Sequence, residues 1–468
     1  MPFDPTSTIA APATGSGGAI SVIRVSGSDT FAICDRVFRP ADGKRKVSET
    51  AGYSVIYGDI VDDGKILDDV LVTVFRSPHS YSGEDSVEIS CHASPFIVQK
   101  ILELLIREGA SAALPGEFTR RAFINGRIDL SQAEAVADLI AAGSEAAHRL
   151  AIHQVRGGFS EDIRKLRGDL INFASLIELE LDFGEEDVEF ADRGELNRSV
   201  TGIKGVTDSL GASFSIGNVI RNGLPVAIVG KPNAGKSTLL NGLLRDDRAI
   251  VSDIPGTTRD AIEDTTIIDG VLFRFIDTAG IRETADIIEN LGIRKTYQKI
   301  SEAMVVLLVT EATDEPEIII ESVKAIRKQI GDERKKLVVV VNKSDLATMA
   351  QAEEADKKLC TGKNEKCIRI SASNQDDIER LKQLLSEVTG IHRLEENRII
   401  VSNARHYEAL VKCSESLSRV IDGLSGGLPH DLIAMDLRQA IYHLGEITGE
   451  ISADDILENI FKNFCIGK

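Results

Sequence analysis

The chain has 468 residues, with 54 Lys plus Arg against 73 Asp plus Glu, which gives a formal charge of −19. This length predicts about three domains, and apolar and charged fractions of 43% and 27% exclude wholesale disorder. The acid excess disfavours binding of nucleic acid through bulk electrostatics, because counterion release requires clustered Lys and Arg.

Membrane, targeting and disulfide classes are disfavoured by simple patterns. The longest apolar runs, residues 303–309 and 337–341, are far shorter than the roughly 20 residues that span a bilayer. No basic residue precedes Arg24, so we expect no secretory or mitochondrial targeting segment. The six cysteines form no CxxC pair, so neither a disulfide framework nor a zinc site is expected. The sequence therefore predicts a cytoplasmic protein that does not enter a membrane.

The first 115 residues contain seven of the twelve prolines and predict a β-rich region. Short β runs are expected at 19–25, 70–75 and 86–90, interrupted by one helix at about 95–108. From about residue 130 the apolar spacing changes to three and four, which predicts a long amphipathic helix over 163–181. An acidic stretch follows that is typical of a solvated connection.

Residues 225–390 alternate apolar β runs with helical segments, and Asp269-Gly270 predicts a hairpin turn. This alternation is typical of a mostly parallel sheet with helices on both faces. Beyond residue 395 the pattern is helical again, with helices expected at 404–424, 431–448 and 453–461. The expected fold class is therefore multidomain. It comprises an α+β N-terminal domain at 1–125, a discontinuous all-α helical domain at 126–222 and 395–468, and an inserted α/β domain at 223–394.

The inserted domain begins with a phosphate-binding motif. Residues 230–237, GKPNAGKS, fit GxxxxGK[ST] and directly follow an apolar strand. In this context the loop amides and the helix start bind phosphates, Lys236 pairs with the β- and γ-phosphates, and the Ser237 hydroxyl binds Mg²⁺. The pattern identifies a P-loop nucleotide site.

Three further motifs make the predicted nucleotide GTP. DTAG at 277–280 places an amide near the γ-phosphate, and NKSD at 342–345 provides Asp345 to accept from the N1–H and 2-amino group of guanine. Adenine lacks both donors, so it would leave that carboxylate unpaired. The loop Ser371-Ala372-Ser373 is expected against the base. The predicted GTP-binding residues are Asn233, Ala234, Gly235, Lys236, Ser237, Thr238, Ser252, Asp253, Ile254, Pro255, Gly256, Thr257, Thr258, Asp277, Thr278, Ala279, Gly280, Asn342, Lys343, Asp345, Ser371, Ala372 and Ser373.

The loop at 252–260 occupies the position of a switch loop. Thr258 is the candidate Mg²⁺ ligand, with Thr257 as the less favoured alternative. Ile281 stands where many GTPases place a glutamine that orients the attacking water, and isoleucine cannot do this. Glu283 is the nearest substitute, acting through a bridging water, unless it is only an exposed charge. No arginine finger is identifiable.

The four motifs, together with the terminal residues FCIGK, resemble the MnmE (TrmE) family of tRNA modification GTPases. GTPase motifs are shared with ribosome-assembly GTPases, so the specificity lies in the outer segments at 80–85, 115–123 and 129–135. The rival hypothesis is a ribosome-assembly or RNA-docking switch GTPase without modification chemistry, which would need neither the N-terminal segment nor the terminal thiol.

The resemblance implies a homodimer whose residues 1–125 bind tetrahydrofolate and pair the subunits. It also implies a heterotetramer with the flavoprotein MnmG (GidA) that adds a carboxymethylaminomethyl group to position 5 of the wobble uridine in certain tRNAs. The one-carbon unit would come from 5-formyl- or methylene-tetrahydrofolate. Folate contacts map onto Arg24, Glu88, Arg127 and Lys468, where Arg127 replaces a more usual lysine and His92-Ala93-Ser94 departs from His-Gly-Gly.

The same resemblance implies how hydrolysis proceeds without an arginine finger. A K⁺ ion beside the phosphates would be held by Asn233, Ser252, Ile254 and Thr257, and Glu283 would be the catalytic glutamate. Cys465 lies in the tail presented toward the folate region. A free cysteine is usually a small buried hydrophobe, and the resemblance makes this one a candidate catalytic thiol.

Overall fold

The computed structural model describes residues 3–15, 17–182, 193–245, 264–276, 300–331, 335–346, 362, 364–390, 399–451, 457, 460–461, 464 and 467. The chain divides into two compact units. The first comprises Met1–Ala137, Gln154–Ala174 and Ile441–Lys468, and the second comprises Asp138–His153 and Ser175–Ala440. Each unit draws on separate stretches of the chain. The three domain boundaries expected from the sequence, after residues 125, 222 and 394, stay predictions.

The first unit contains a seven-stranded sheet in the order β3-β4-β5-β6-β2-β1-β7. Neighbouring strands are antiparallel except for the parallel pair β1–β7. Alternate residues of β4 and β5 are buried, which gives the sheet one core face and one exposed face. The strands are β1 (Ile9–Pro12), β2 (Ile20–Ser26), β3 (Phe38–Pro40), β4 (Ser54–Asp62), β5 (Lys65–Phe75), β6 (Ser86–His92) and β7 (Ser111–Ala112).

Two helices pack against the core face of this sheet. Helix α2 (Pro95–Arg107) begins with proline, which is favourable in the first turn, and buries Ile101, Leu104 and Leu105. It confirms the predicted helix at about 95–108. Helix α1 (Thr30–Val37) joins the same core, so the expectation of a single helix in the first 115 residues is wrong. With only eight residues, α1 is too short to show a clear helical period.

Five helices follow the N-terminal sheet. Helix α6 confirms the amphipathic segment, because its residues Ile163, Leu170 and Ile177 are almost completely buried. Helix α4 starts with a capping box: the Gln132 amide donates to Asp129 Oδ1 (2.9 Å), and the Asp129 amide donates to Gln132 Oε1 (2.9 Å). The five are α3 (Glu117–Ile124), α4 (Leu130–Ala141), α5 (Glu145–Val155), α6 (Gly158–Asp182) and α7 (Arg193–Asn222).

The second unit contains a six-stranded sheet in the order β13-β12-β11-β8-β10-β9. All neighbours are parallel except β9–β10. The antiparallel pair turns at Asp269 and Gly270, which both have positive φ (48° and 74°), so the predicted hairpin is confirmed. The strands are β8 (Leu224–Gly230), β9 (Asp264–Ile268), β10 (Val271–Phe275), β11 (Val305–Glu311), β12 (Lys336–Asn342) and β13 (Glu365–Arg369).

Helices cover both faces of this sheet, as the sequence predicts. Helices α8 (Lys236–Leu244) and α10 (Gln375–Thr389) pack on the face that includes Val226 and Ile228. Helix α9 (Pro316–Ile330) packs on the opposite face with Ala227 and Val229. Because β8 is buried on both faces, it is apolar at nearly every position rather than alternating.

The C-terminal part is helical. Helices α11 (Ala404–Gly426) and α12 (His430–Thr448) confirm two of the three helices expected there. Helix α11 packs against α7, where the rings of Phe214 and Tyr407 stack with centroids 4.6 Å apart. Most of the third expected helix, at 453–461, lies outside the described residues. Among the helices that the structure describes, none is both long enough and apolar enough to cross a membrane.

Candidate functional site

The loop between β8 and α8 has the geometry of a phosphate-binding loop. Its backbone has positive φ at Gly230 (150°), Asn233 (64°) and Gly235 (92°). A Cβ on Gly230 would lie 2.2 Å from the Val309 carbonyl oxygen, and one on Gly235 would lie 2.1 Å from Asn342 Nδ2. Only glycine fits at these two positions, because both the backbone angles and the space exclude a side chain.

Lys236 begins α8, so the end of the helix that carries a positive partial charge faces the loop. The Nζ of Lys236 donates to the Gly230 carbonyl (3.0 Å) and to the Lys231 carbonyl (2.6 Å), and these bonds hold the ammonium group across the loop. Ser237 and Thr238 follow in the first turn of the helix. Amides, ammonium and hydroxyls therefore converge where phosphate oxygens and a divalent cation are bound in P-loop proteins.

Asn342 joins the phosphate loop to the predicted guanine loop. Its side chain is 3% exposed; Nδ2 donates to the Ala234 carbonyl (2.8 Å), and Oδ1 accepts from the Ala372 amide (2.9 Å). The first residue of the NKSD motif thus acts as a bridge between two loops that are distant in sequence. Of the predicted nucleotide residues, the structure therefore brings Ala234, Asn342 and Ala372 together through direct hydrogen bonds.

The rest of the guanine-binding end is arranged by short turns. Asp345 is exposed in a 3-10 turn, Ser344–Leu346, directly after β12. Lys343 Nζ lies 3.0 Å from Glu311 Oε1. Ser371 donates its amide to Asp377 Oδ2 at 2.8 Å, so Asp377 fixes the start of the loop. The sequence analysis missed Asp377; the available signal is its position in the first turn of the helix after that loop.

A cavity of about 600 Å³ adjoins this loop. Its lining includes Thr238 and Asn241 from α8, and Ala372, Ser373 and Gln375 from the loop and the start of α10. The lining is mixed in polarity, and two of the predicted GTP-binding motifs contribute to it. The cavity therefore lies along one side of α8, next to the loop that contains Ala372 and Ser373.

Many predicted functional residues lie outside the described residues, so their roles stay predictions. They include the switch loop, the DTAG motif, the candidate catalytic glutamate, and the cysteine and lysine near the C-terminus. These residues are Ser252, Asp253, Ile254, Pro255, Gly256, Thr257, Thr258, Asp277, Thr278, Ala279, Gly280, Glu283, Cys465 and Lys468.

In the first unit, Arg24 and Glu88 form a cross-strand pair on β2 and β6. Arg24 donates through Nε (3.0 Å) and Nη2 (2.8 Å) to Glu88 Oε1, and the two side chains are only 17% and 28% exposed. The guanidinium also lies 5.1 Å from the Tyr81 ring centroid and 5.5 Å from that of Phe118. The pair is therefore held in a fixed orientation beside two aromatic rings.

Arg127 lies beside the loop that carries Tyr81. A Cβ on Gly83 of this loop would lie 3.1 Å from Arg127 Cγ, so the arginine stem packs against the loop backbone. The charged side chain itself is exposed. Three of the four residues predicted to contact folate thus surround one loop in the same unit.

Arg121 fixes that loop and was missed by the sequence analysis. Its side chain is 1% exposed and donates to Glu84 (3.2 Å), to Glu117 (2.9 Å) and to the backbone carbonyl of Ser7 (2.7 Å). The pairing with Glu117 has a helical i,i+4 signature, but the pairing with Glu84 depends on the tertiary fold. A charge this well buried requires all of these partners.

The segment that departs from His-Gly-Gly forms a local ion pair. His92 donates its amide to Asp68 Oδ2 (2.8 Å), and its Nδ1 lies 2.8 Å from Asp68 Oδ1. Hydrogen bonding to Asp68, followed by its charge, raises the pKa of His92. Asp68, Asp69 and His92 each have one possible metal-ligating atom, and these three atoms lie within 4.8 Å of one another. The hydrogen bonds between His92 and Asp68 already explain why these side chains are close together.

Four cysteines in the described part of the chain are free thiols. Burial raises the pKa of Cys34 and of Cys413 to about 12, and that of Cys91 to about 11. These groups stay protonated at neutral pH and are not nucleophiles.

Comparisons with known proteins cover almost the whole chain. The family "GTP-binding protein TrmE N-terminus" matches residues 8–127, and "MnmE helical domain" matches residues 130–465. The "tRNA modification GTPase MnmE" of Bacteroides thetaiotaomicron is 50% identical over 465 residues, which cover 98% of this chain and 99% of the relative. The protein of the same name from Flavobacterium johnsoniae is 51% identical over 464 residues, with the same coverage.

Among solved structures, the chain is similar to a GTP-binding protein from Sulfolobus solfataricus in complex with GDP. That similarity has 20% identity and a TM-score of 0.26, and it covers 49% of this chain and 68% of the other. An overlap this low supports no argument about the site.

Proposed function

The chain belongs to the MnmE (TrmE) family, and from this premise we propose that it is a GTP hydrolase acting in tRNA modification. The observation that carries the proposal is the bridge through Asn342, which assembles the phosphate loop and the guanine loop into one site. Full-length similarity to curated tRNA modification GTPases supports the link to tRNA.

At the nucleotide, Lys236 is assigned to the β- and γ-phosphates, Ser237 to Mg²⁺ and Asp345 to guanine. The exposed Asp345 carboxylate at the end of β12 supports base recognition, because two donors of guanine match its two oxygens. The variant Asp345→Asn should lose GTP binding at least tenfold and gain xanthosine triphosphate, whose 2-oxo group accepts where guanine donates. The exposed neighbour Asp376→Asn serves as the control, and equal GTP binding by both variants would contradict the assignment.

For hydrolysis, we assign Asn233, Ser252, Ile254 and Thr257 to K⁺ and Glu283 to orienting the attacking water. A monovalent cation beside the phosphates supplies charge stabilisation in place of an arginine finger. Asn233 has a positive φ of 64° within the phosphate loop, a conformation that asparagine tolerates better than most residues. GTP turnover should fall sharply when Na⁺ replaces K⁺, and Asn233→Ala should remove most of that difference. Equal wild-type rates in the two salts would contradict the cation assignment.

For the one-carbon step, we propose that the first unit binds 5-formyl- or methylene-tetrahydrofolate near Arg24, Glu88, Arg127 and Lys468. The rigid Arg24–Glu88 pair beside Tyr81 supports this, because a pterin ring offers hydrogen-bonding groups at its edge and flat faces for stacking. Isothermal titration of the full chain with 5-formyl-tetrahydrofolate tests it. Absence of binding at millimolar ligand would refute the one-carbon role.

We also propose a homodimer formed through the exposed face of the N-terminal sheet. Val55, Tyr57 and Leu71 lie on this face with 55%, 55% and 46% exposure, and Tyr57 is directly opposite Leu71. Exposed apolar groups that form a continuous patch are typical of interaction surfaces. A dimer would join the flavoprotein MnmG in a heterotetramer that modifies position 5 of wobble uridines. A cytoplasmic location stays a prediction of the sequence.

The decisive experiment is mass spectrometry of wobble uridines in cells that lack this chain. Carboxymethylaminomethyl uridine should disappear and should return with the wild-type chain. Complementation by Arg24→Met tests whether the folate site is required. Unchanged wobble uridines in the deletion strain would favour the alternative of a switch GTPase without modification chemistry.

A further inference from the structure

Within the first unit, the C-terminal segment lies against a glycine that precedes α3. Gly116, directly before α3, has φ of 65°. A Cβ at this position would lie 2.8 Å from Phe464 Cβ and 2.9 Å from the Phe461 carbonyl oxygen. Real Cβ atoms do not approach other atoms below 3.0 Å, so any larger residue at 116 requires the tail or α3 to move.

A second close approach occurs three residues further along the tail. Gly467 is buried with φ of 96°, and a Cβ there would lie 1.9 Å from the Pro12 carbonyl oxygen. Pro12 is paired with Ile23 on β2, adjacent to Arg24. Two described residues of the tail, Phe464 and Gly467, are therefore in close contact with the N-terminal region, and Gly467 lies at the end of β1, the strand that pairs with β2.

Apolar burial holds the preceding part of the tail. Phe461 and Leu457 are 2% and 6% exposed, and they form a cluster with Leu130 and Ala133 at the start of α4. Phe464 is only partly buried, with its ring 5.4 Å from that of Phe461. Burial of these side chains favours docking, but it tolerates small displacements because apolar contacts are not directional. At Gly116 and Gly467 an added Cβ would be too close to its neighbours, so these two contacts do not tolerate a larger residue.

We propose that Gly116 is a positioning residue that sets the location of the C-terminal tail beside β1, the neighbour of the strand that carries Arg24, with Gly467 as the second contact. The consequence for folate rests on the proposed one-carbon function, in which Lys468 contributes to the folate site. In that proposal, displacement of the tail is expected to weaken folate binding. The contact also gives the PGEFTRRAF segment a role that the GTPase function leaves unexplained.

The docking itself can be measured without any ligand. The chain contains no tryptophan, so Phe464→Trp introduces a single fluorescent reporter at the contact. Adding Gly116→Ala should shift the emission to longer wavelength and increase quenching by acrylamide. The matched control is Gly126→Ala, which has nearly the same φ (66°) but nothing within 4 Å of the added Cβ, so it should leave the emission unchanged. Identical spectra in all three backgrounds, or equal shifts in both glycine variants, would overturn the proposal.

Two further measurements guard against a general loss of structure. Gly467→Ala disturbs the tail without touching α3 and should produce the same spectral shift. Hydrogen exchange of the tail peptide, measured without the tryptophan, should accelerate in Gly116→Ala and not in Gly126→Ala. The KM and kcat for GTP should be unchanged in both variants, and a parallel loss of GTP turnover would indicate unfolding rather than displacement and overturn the positioning role.

The effect on folate is tested separately. Gly116→Ala and Gly467→Ala should weaken binding of 5-formyl-tetrahydrofolate by the full chain at least tenfold, whereas Gly126→Ala should not. If the wild-type chain binds no folate, the proposed one-carbon function fails, while the fluorescence still decides the docking role. If the tail moves but folate affinity is unchanged, the positioning role toward the folate site is refuted.

Discussion

The bridge through Asn342 makes the sharpest prediction about the nucleotide site. Asn342→Ala removes the Nδ2 donor to the Ala234 carbonyl and the Oδ1 acceptor of the Ala372 amide, at a side chain that is 3% exposed. Both loops keep their own sequences, and the substitution removes their connection together with one predicted GTP-binding side chain. We expect the phosphate loop and the guanine loop to lose their fixed spacing.

The magnitude follows from the two hydrogen bonds. Each intramolecular hydrogen bond contributes about 0.5–1.5 kcal/mol net, so losing both costs about 1–3 kcal/mol. With about 1.4 kcal/mol per factor of ten, the Kd for GDP should rise by roughly 5- to 150-fold. Titration of the full chain with a fluorescent GDP analogue measures this change, and urea unfolding shows how much of the loss appears as global stability.

Asn374 provides the matched control. It is the N-cap of α10, where its exposed side chain accepts from the Asp376 amide at 3.0 Å without joining the two loops. Asn374→Ala should reduce helix stability by about 1 kcal/mol and change GDP affinity less than twofold. Unchanged affinity in Asn342→Ala, or an equal loss in Asn374→Ala, would refute the view that the bridge organises the site.

Three further predictions concern other parts of the molecule. Gly235→Ala should weaken GDP binding at least as much as Asn342→Ala. Alanine in the left-handed backbone conformation of this position costs about 1–2 kcal/mol, and its Cβ would displace the Asn342 side chain. Wild-type GDP affinity of this variant in the same titration would contradict the prediction. Arg121→Met should lower the free energy of unfolding in urea by about 3–5 kcal/mol, because it leaves buried carboxylates without their cationic partner. The control Arg39→Met, at an exposed ion pair, should lower it by only about 0–1 kcal/mol. Pairing with Asp68 raises the pKa of His92 in the folded protein above 6.5, its value in the unfolded chain. The pairing therefore stabilises the fold fully at pH values below 6.5, and this contribution disappears as the pH rises through the pKa of His92 in the folded protein. Asp68→Asn should remove this pH dependence from urea unfolding, and a retained dependence would show that another group titrates.

The nucleotide site was predictable because its chemistry is local in sequence. The glycines and Lys236 follow β8 within one short loop, and they fit its positive φ angles and the hydrogen bond from Lys236 Nζ to the Gly230 carbonyl. The order of strand and helix likewise predicted the sheet and the helices on both faces. The amphipathic period of α6 was clear because the helix has 25 residues, which is long enough to repeat its pattern several times.

Other features depend on contacts that sequence spacing does not reveal. The register of β2 and β6 places Arg24 opposite Glu88, which is 64 residues away. The role of Asp377 in holding the Ser371 amide and the contacts of Gly116 with the tail arise only after distant segments pack. Helix α1 was missed for a different reason, because its eight residues contain too few turns to distinguish a helical period from a strand.

The composition of the first unit has a consequence for biosynthesis. This unit combines residues 1–137 with residues 441–468, so Leu130 and Ala133 meet Leu457 and Phe461 only after residues 175–440 have been translated. Almost all of the second unit emerges from the ribosome before that contact can form. The N-terminal sheet can assemble early, but Leu130 and Ala133 at the start of α4 stay exposed to solvent until Leu457 and Phe461 have been made. A chain truncated before Leu457 would therefore carry an exposed apolar surface at the start of α4.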